Sequence, residues 1–536
     1  MKKYVIIIGL VLCGALLLTA CMNMTFTGDP KERANPDTVL TNSVTDGDIV
    51  QLYGNYIISA SPTSLNITHA NNGYLTLTAS NSKESVGVSD IIVWGDYLVS
   101  AYYYVAKTYT PPDGTSYTDY YTQVNIYDLT TLGKGTQFAF ESLYTVQLDG
   151  KCEYVKTVND TLYLFSNFKV GSCNKYEQHN FGFYEENGEK KGVANILVVD
   201  ASIAIRSYST LVAVNVQDEF VSTSAQWYGV TGEVCFYSDA IIPIIMDTNY
   251  SSSNYFVMKL SAFTLEKEGV INEKDYKLIN RYALNYDGEY IMIASYSSSE
   301  GSRLNIYDSN FNLFGSVGGI AIGETLKSVR YSENYCYLVT YLQIDPVFKI
   351  DISDRSAPIV VDELKIDGYS IYLHILDDDL AFGVGVGADL YTSKITLFDT
   401  ASEQINEIKS IEIPSTLLYA SVDPRSIFID RENQMIIFIG VTIEKEEKLI
   451  NGETTSVFYA TYNMFLLEYP SLDSEMTTVK ISNKYEMASK EQRQENELLN
   501  PRCVVIDDYI YIVSQNKIKS YDFNRGYKEK SVLLLP

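Results

Sequence analysis

The sequence predicts an all-β fold, a single ring of four-stranded antiparallel sheets, and three observations predict it. The 536 residues hold 45 tyrosines and 13 prolines, a composition that leans towards strand formers. Short aromatic-rich runs alternate with polar turns along almost the whole chain, the pattern of a sandwich, barrel or propeller. Those runs recur as one unit, and self-similarity of that kind selects the propeller. Helical periodicity is confined to 265–279 and to 484–500, which opens KYEMASKEQRQENELL.

The unit is clearest at four places. Residues 95–129 give GDYLVSAYYY and, after an insertion, YTQVNIYDL. Residues 287–318 give DGEYIMIASYSSSEGSRLNIYDSNFNLFGSVG, 333–365 begin ENYCYLVT, and 507–523 give DDYIYIVSQNKIKSYDF. Each opens on a polar turn, runs into an aromatic-rich strand, and follows with a strand ending in Asp. The same order is present at 53–79, 378–413 and 432–482, and more loosely at 158–226 and 232–276. One such sheet cannot bury both faces, whereas sheets stacked around an axis can. About nine units are visible, the last one short. Because ring closure often merges strands from both termini, eight blades are expected, with seven and nine as the neighbouring solutions. Asp308, Asp351, Asp354 and Asp399 fall at turns leaving the third strand of a unit, where Asp caps turn amides.

The N-terminus carries an address. MKKYVIIIGLVLCGALLLTAC places two lysines before a short apolar run and then Leu18-Thr19-Ala20-Cys21, the layout of a secretory signal peptide. Leu-Thr-Ala-Cys resembles the lipobox of bacterial lipoproteins, which implies cleavage before Cys21 and its lipidation, acyl chains serving as the membrane anchor. The expected organisation is a signal peptide over 1–20, a lipidated N-terminus and flexible tether over 21–44, and the propeller over 45–536. The expected location is the extracytoplasmic face of the cell membrane. A net charge of −26, or −28 without Lys2 and Lys3, argues against nucleic acid as a partner.

Further along, LKSVRYSENYCYLVT, DPVFKIDISDRSAP and LKIDGYSIYLH resemble a family of secreted bacterial and archaeal proteins with a C-terminal β-propeller distantly related to WD40 repeats. DPRSIFIDRENQMIIFIG and RCVVIDDYIYIVSQNKIKSYD are similar to further strands of that family. The likeness runs over roughly 45–525, is specific over 325–440, and departs at Phe348, Lys349 and 168–230. It implies an exported propeller and no established reaction.

Candidate chemistry is sparse. His374 is one of three histidines and stands just before Asp377, Asp378 and Asp379. It could act as a base beside those carboxylates, but its strand context favours a histidine that caps a buried hydrogen-bond network. The three aspartates are hard oxygen donors that suit Ca²⁺, yet they lack the spacing of a calcium loop. His69 and His179 lie in unrelated units. GVGVGAD (383–389) is followed by another strand-like run, which rejects a nucleotide loop. Cys152 and Cys173 could pair across one long loop, whereas Cys235, Cys336 and Cys503 sit in strand-like runs as small hydrophobes.

Variation between units concentrates between the second and third strands: 106–120, 168–194, 247–254 and 443–457. All such connections emerge on one face of a ring, and repeat proteins often bind through the face that carries insertions. Tyr109, Tyr117, Tyr120 and Tyr121 on the first insertion are candidate ligand contacts, with His374 as a further one. The expected function is a monomeric binding or scaffolding module for a surface protein or an envelope polymer. A hydrolase or lyase of extracellular glycans, using carboxylates near the channel, is the alternative.

Overall fold

The repeated unit folds as a four-stranded meander whose burial follows its place in the stack. In residues 230–273, the second strand, Ala240–Met246, is buried along nearly its whole length, while the fourth, Lys267–Glu273, is half exposed. A strand covered on both faces reads as continuous apolar sequence, and an outer strand alternates. The computed structural model describes residues 44–109, 117–135, 137–169, 181–200, 203, 207–216, 219–246, 254–341, 345–366, 369–376, 379–387, 392–431, 433–450, 453–469 and 475–536.

Among these residues the strands form nine sheets, numbered I to IX in chain order. Their main meanders span 50–82, 87–149, 151–228, 230–273, 284–320, 325–366, 369–413, 416–480 and 502–534, and the hairpin Phe183–Glu186 and Glu189–Gly192 leaves the third span to extend sheet II beyond its fourth strand. Each matches one unit legible in the sequence. Between every two consecutive sheets lies one apolar cluster: Trp227 and Phe165 of sheet III, for instance, pack with Phe236, Ile241 and Ile245 of sheet IV. The series closes on itself. Val504, Tyr511 and Ile518 of sheet IX share a cluster with Val50, Ile57 and Ala70 of sheet I. At the same seam Ser520 Oγ donates to the Gly73 carbonyl at 2.5 Å and Ser64 Oγ to the Pro536 carbonyl at 3.1 Å. Gly73 has φ +79°, and a Cβ there would stand 2.6 Å from the Tyr509 ring, so the seam requires glycine.

The termini meet differently from the merged blade assumed for eight. Sheet I is built wholly from the start of the described chain and sheet IX wholly from its end, four strands each. The last unit looked short because its fourth strand, Lys528–Leu534, is largely exposed and opens on three charged residues.

The N-terminal strand goes elsewhere. Val44–Asp46 lies antiparallel on the first strand of sheet III, Lys151–Val158, with Val44 opposite Val158 and Asp46 opposite Lys156. Asp48 then exchanges backbone hydrogen bonds with Ile91, in the first strand of sheet II, at 3.0 and 2.8 Å. The chain next enters sheet I at Val50.

Of the two segments with helical periodicity, 484–500 holds a helix at Lys490–Asn496, capped by the Ser489 side chain. The other does not. Residues Lys267–Glu273 are the fourth strand of sheet IV, because Gly269 lies against the Phe311 ring, where a Cβ would clash, and Val270-Ile271 favours extended backbone. No helix among the described residues is long and apolar enough to cross a membrane.

Candidate functional site

In six of the nine sheets the first strand departs from regular pairing. A bulge recurs in this strand in sheets II, III, IV, VI and VII. Bulges bend a strand and turn a residue out of the pleat. In sheet VIII the first strand is split instead, Thr416–Leu418 and Phe428–Asp430, and a short 3-10 turn, Pro424–Ser426, fills the gap. Asp423 caps that turn and Pro424 opens it, a favourable start for a helical turn.

Charged residues from five sheets, and from the turn before a sixth, meet at one buried hub, and the N-terminal segment runs through it. Asp46 pairs with Lys156 of sheet III and, at 3.2 Å, with Arg281 in the turn leading into sheet V. Asp48 receives Arg502 Nε of sheet IX on both oxygens at 3.0 Å. Arg502 Nη2 reaches Asp423 of sheet VIII at 2.5 Å. Arg425 ties Asp423 at 3.0 Å, Asp90 of sheet II at 2.9 Å and Asp48 at 3.7 Å. Beyond Asp46, Tyr154 Oη donates to Glu233 of sheet IV at 2.5 Å. Asp48 is fully buried and Arg502 is 2 % exposed. Buried charges persist only when paired, and the Asp46, Asp48, Asp90 and Asp423 carboxylates each meet a cation here.

The hub shifts its ionisable groups. Burial would raise the Asp423 carboxyl, but the Arg425 and Arg502 guanidiniums hold it well below the usual carboxylate range. Burial pushes the Lys156 ammonium down to about 8, and Arg281 adds to this against the pull of Asp46. An unfolded lysine titrates near 10.4. Between these values the unfolded chain binds more protons, so the Lys156 contribution makes stability rise with pH. The stability difference between wild type and Lys156→Met should therefore grow in favour of wild type by about 1 kcal/mol per pH unit from pH 8 to 10. Urea midpoints at pH 7.5, 8.5 and 9.5 measure it; a flat difference would refute the depressed ammonium.

His374 stands in the first strand of sheet VII, Tyr369–Ile375, and is 5 % exposed. Its Nδ1 is 2.8 Å from Tyr372 Oη and its ring is 5.2 Å from that of Phe382. Asp379 contributes a backbone carbonyl to Thr400 N at 2.9 Å. Cys21, Cys173, His179, Asp377 and Asp378 lie outside the described residues.

The turn aspartates act as read. Asp351 accepts from Ser353 N at 2.8 Å, Asp354 from Ser356 N at 2.9 Å, Asp308 from Asn310 N at 2.9 Å and Asp399 from Ala401 N at 3.0 Å. Tyr109 and Tyr117 are opposite each other in the hairpin of sheet II. Tyr121 stacks on Tyr104 with centroids 5.3 Å apart, Tyr120 packs edge-on to Tyr103 at 6.0 Å, and Lys151 Nζ is 4.9 Å from the Tyr120 centroid. These two tyrosines brace the hairpin on its own strands. Cys152 Sγ donates to the Tyr154 carbonyl at 3.1 Å. Cys235 and Cys336 are buried thiols, that of Cys235 pushed up to about 12 by burial and therefore a poor nucleophile.

The hub escaped the sequence reading. Its faint signal is a lone charge inside an apolar first strand, as Asp90 in GVSDIIVW and Arg502 before CVVI; Lys156 shares KCEYVKTV with Lys151 and Glu153 and gives no such signal.

Nine sheets in cyclic contact about a charged hub define a protein of the propeller class. The chain belongs to the beta propeller domain family, whose profile matches residues 39–525. It is 26% identical over 264 residues to an uncharacterized protein of Archaeoglobus fulgidus, covering 49% of this chain and 36% of that protein. It is 24% identical over 261 residues to one of Methanocaldococcus jannaschii, covering 48% and 36%. The match thus spans little more than a third of the length of these relatives. Among solved structures, Kuenenia stuttgartiensis hydrazine synthase is 14% identical with a TM-score of 0.34, covering 54% of this chain and 74% of that one. Kluyveromyces lactis Hsv2 is 11% identical with a TM-score of 0.32, covering 69% and 100%.

Proposed function

We propose that the chain is a nine-bladed propeller, one blade per sheet, held by acyl chains on Cys21 at the extracytoplasmic face of a membrane. Its role is to bind or scaffold a surface protein or an envelope polymer. The observation that carries this reading is the pair of hairpins that outgrow their sheets. Met435–Ile450 and Glu453–Glu468 have 16 residues each, and Tyr97–Tyr109 and Tyr117–Asp128 have 13 and 12, whereas the second and third strands of sheet V have 7. Both hairpins join second to third strands, so they project at the same end of the ring. At the tip of the longer one Leu449 is 75 % exposed and Ile450 46 %. The N-terminal strand supports the arrangement. Val44 lies opposite Val158, where the first strand of sheet III turns into the second, so the chain enters the ring at the end opposite the hairpins. A tether there leaves the hairpin face unobstructed.

The glycan-cleaving alternative needs a carboxyl held protonated near neutral pH. Asp423, held as a carboxylate by Arg425 and Arg502, does not supply that acid.

The test shortens the long hairpin by replacing residues 447–456 with Asn-Gly, a two-residue turn. Full chain and variant are compared for capture of peptidoglycan fragments and detergent-solubilised envelope proteins, with melting followed in parallel. Capture should fall at least tenfold while the melting temperature moves by less than about 2 °C, because surface segments contribute little to stability. Equal capture by the variant would remove this hairpin from the binding face.

A further inference from the structure

We infer that the axis of the ring is a binding site for an extended acidic strand, and that Asp46-Gly47-Asp48 is the occupant this chain supplies. The socket is built from residues that follow position 50, and the occupant from residues that precede it. Three independent features recognise the occupant.

The first is backbone. Thr45 and Asp46 add to the open edge of sheet III in antiparallel register, Gly47 N donates to the Val155 carbonyl at 2.9 Å, and Asp48 bridges to Ile91 of sheet II. Strand addition to a free edge is a recurrent way to bind a peptide. The second is fit. A Cβ on Gly47 would stand 2.6 Å from the Asp90 Cβ and 2.9 Å from the Val155 carbonyl oxygen, so the middle residue must be glycine. The third is charge. Lys156 and Arg281 meet Asp46, and Arg425 and Arg502 meet Asp48, four cations drawn from or beside sheets III, V, VIII and IX. The two carboxylates are 8 % and 0 % exposed, so an occupant lacking either leaves buried cations short of a partner.

The ligand class is therefore an Asp-Gly-Asp strand, recognised by sequence and not by net charge alone. In this chain the segment is bound in cis at high effective concentration. A peptide of the same pattern gains access only when the resident carboxylates are neutralised.

The test uses the full chain. A fluorescent peptide of residues 44–50, VTDGDIV, is titrated against wild type and against Asp46→Asn/Asp48→Asn, with binding read by anisotropy. The variant should bind the peptide saturably and at least tenfold more tightly than wild type, whose socket is filled. The same peptide carrying Asn at both positions should bind the variant at least tenfold more weakly. Hydrogen exchange on the full chain gives the second measurement. Amides 45–48 should exchange at least tenfold faster in the variant, while those of the second strands of sheets IV to VII keep their protection. Should the double variant not fold, Asp46→Asn and Asp48→Asn singly give the same two readouts. Equal binding of the Asp and Asn peptides, or unchanged protection of 45–48, overturns the proposal.

Discussion

Arg502→Met should destabilise the protein by about 3–5 kcal/mol, the cost of leaving a buried charge without its partner. Arg502 is 2 % exposed and neutralises Asp48 and Asp423 together. Without it, three carboxylates of the hub, Asp48, Asp90 and Asp423, share the Arg425 guanidinium among the described residues. Two readouts separate this from a packing loss. Adding Asp48→Asn should restore part of the stability, because the uncompensated charge leaves with it. The pH dependence should also change. In wild type the depressed Asp423 contributes stability above the unfolded carboxylate value near 3.9 and loses it as pH falls towards the folded value. In Arg502→Met the Asp423 carboxyl keeps only Arg425 to hold it down and therefore rises, so acid should narrow the gap between variant and wild type. A gap that stays constant from pH 7 to 4.5 would mean the hub charges are not what Arg502 balances.

Trp227→Ala should cost about as much, 3–5 kcal/mol, by a different route. Trp227 is fully buried in the seam between sheets III and IV, its ring 6.0 Å from Phe165 at 23°. Its Nε1 donates to Thr231 Oγ1 at 2.9 Å. Removing the indole opens a large cavity that the neighbouring sheets cannot fill without breaking their own ladders. Trp227→Phe should lose less than half as much, since it keeps most of the ring contact. Chemical denaturation of both variants measures this; a loss under about 1 kcal/mol for the alanine would show the seam to be loosely packed.

The architecture was legible because it is written locally. A polar turn, an aromatic strand and a strand ending in Asp lie within some thirty residues, and each such run became one sheet. The Asp351 and Asp354 turns could be read for the same reason, since their partners are two residues away. The hub was illegible for the converse reason. Asp48 and Arg502 are 454 positions apart, and Arg425 and Asp90 are 335 apart, so no spacing announces them. Residues 265–279 failed differently. Their periodicity allowed a helix, and the β-branched Val270-Ile271 pair with Phe311 pressing on Gly269 makes the strand.

The strand that threads the hub also settles how the ring would carry a mechanical load. Val44–Asp46 runs antiparallel along Lys151–Val158, with its ladder bonds perpendicular to the chain. A pull on the residues before Val44 is therefore directed along that ladder and loads its bonds together in shear. The Asp46 and Asp48 ion pairs pass the same force to sheets III, V, VIII and IX at once. Traction would be shared across the hub before it could peel the first strand of sheet I from its neighbour.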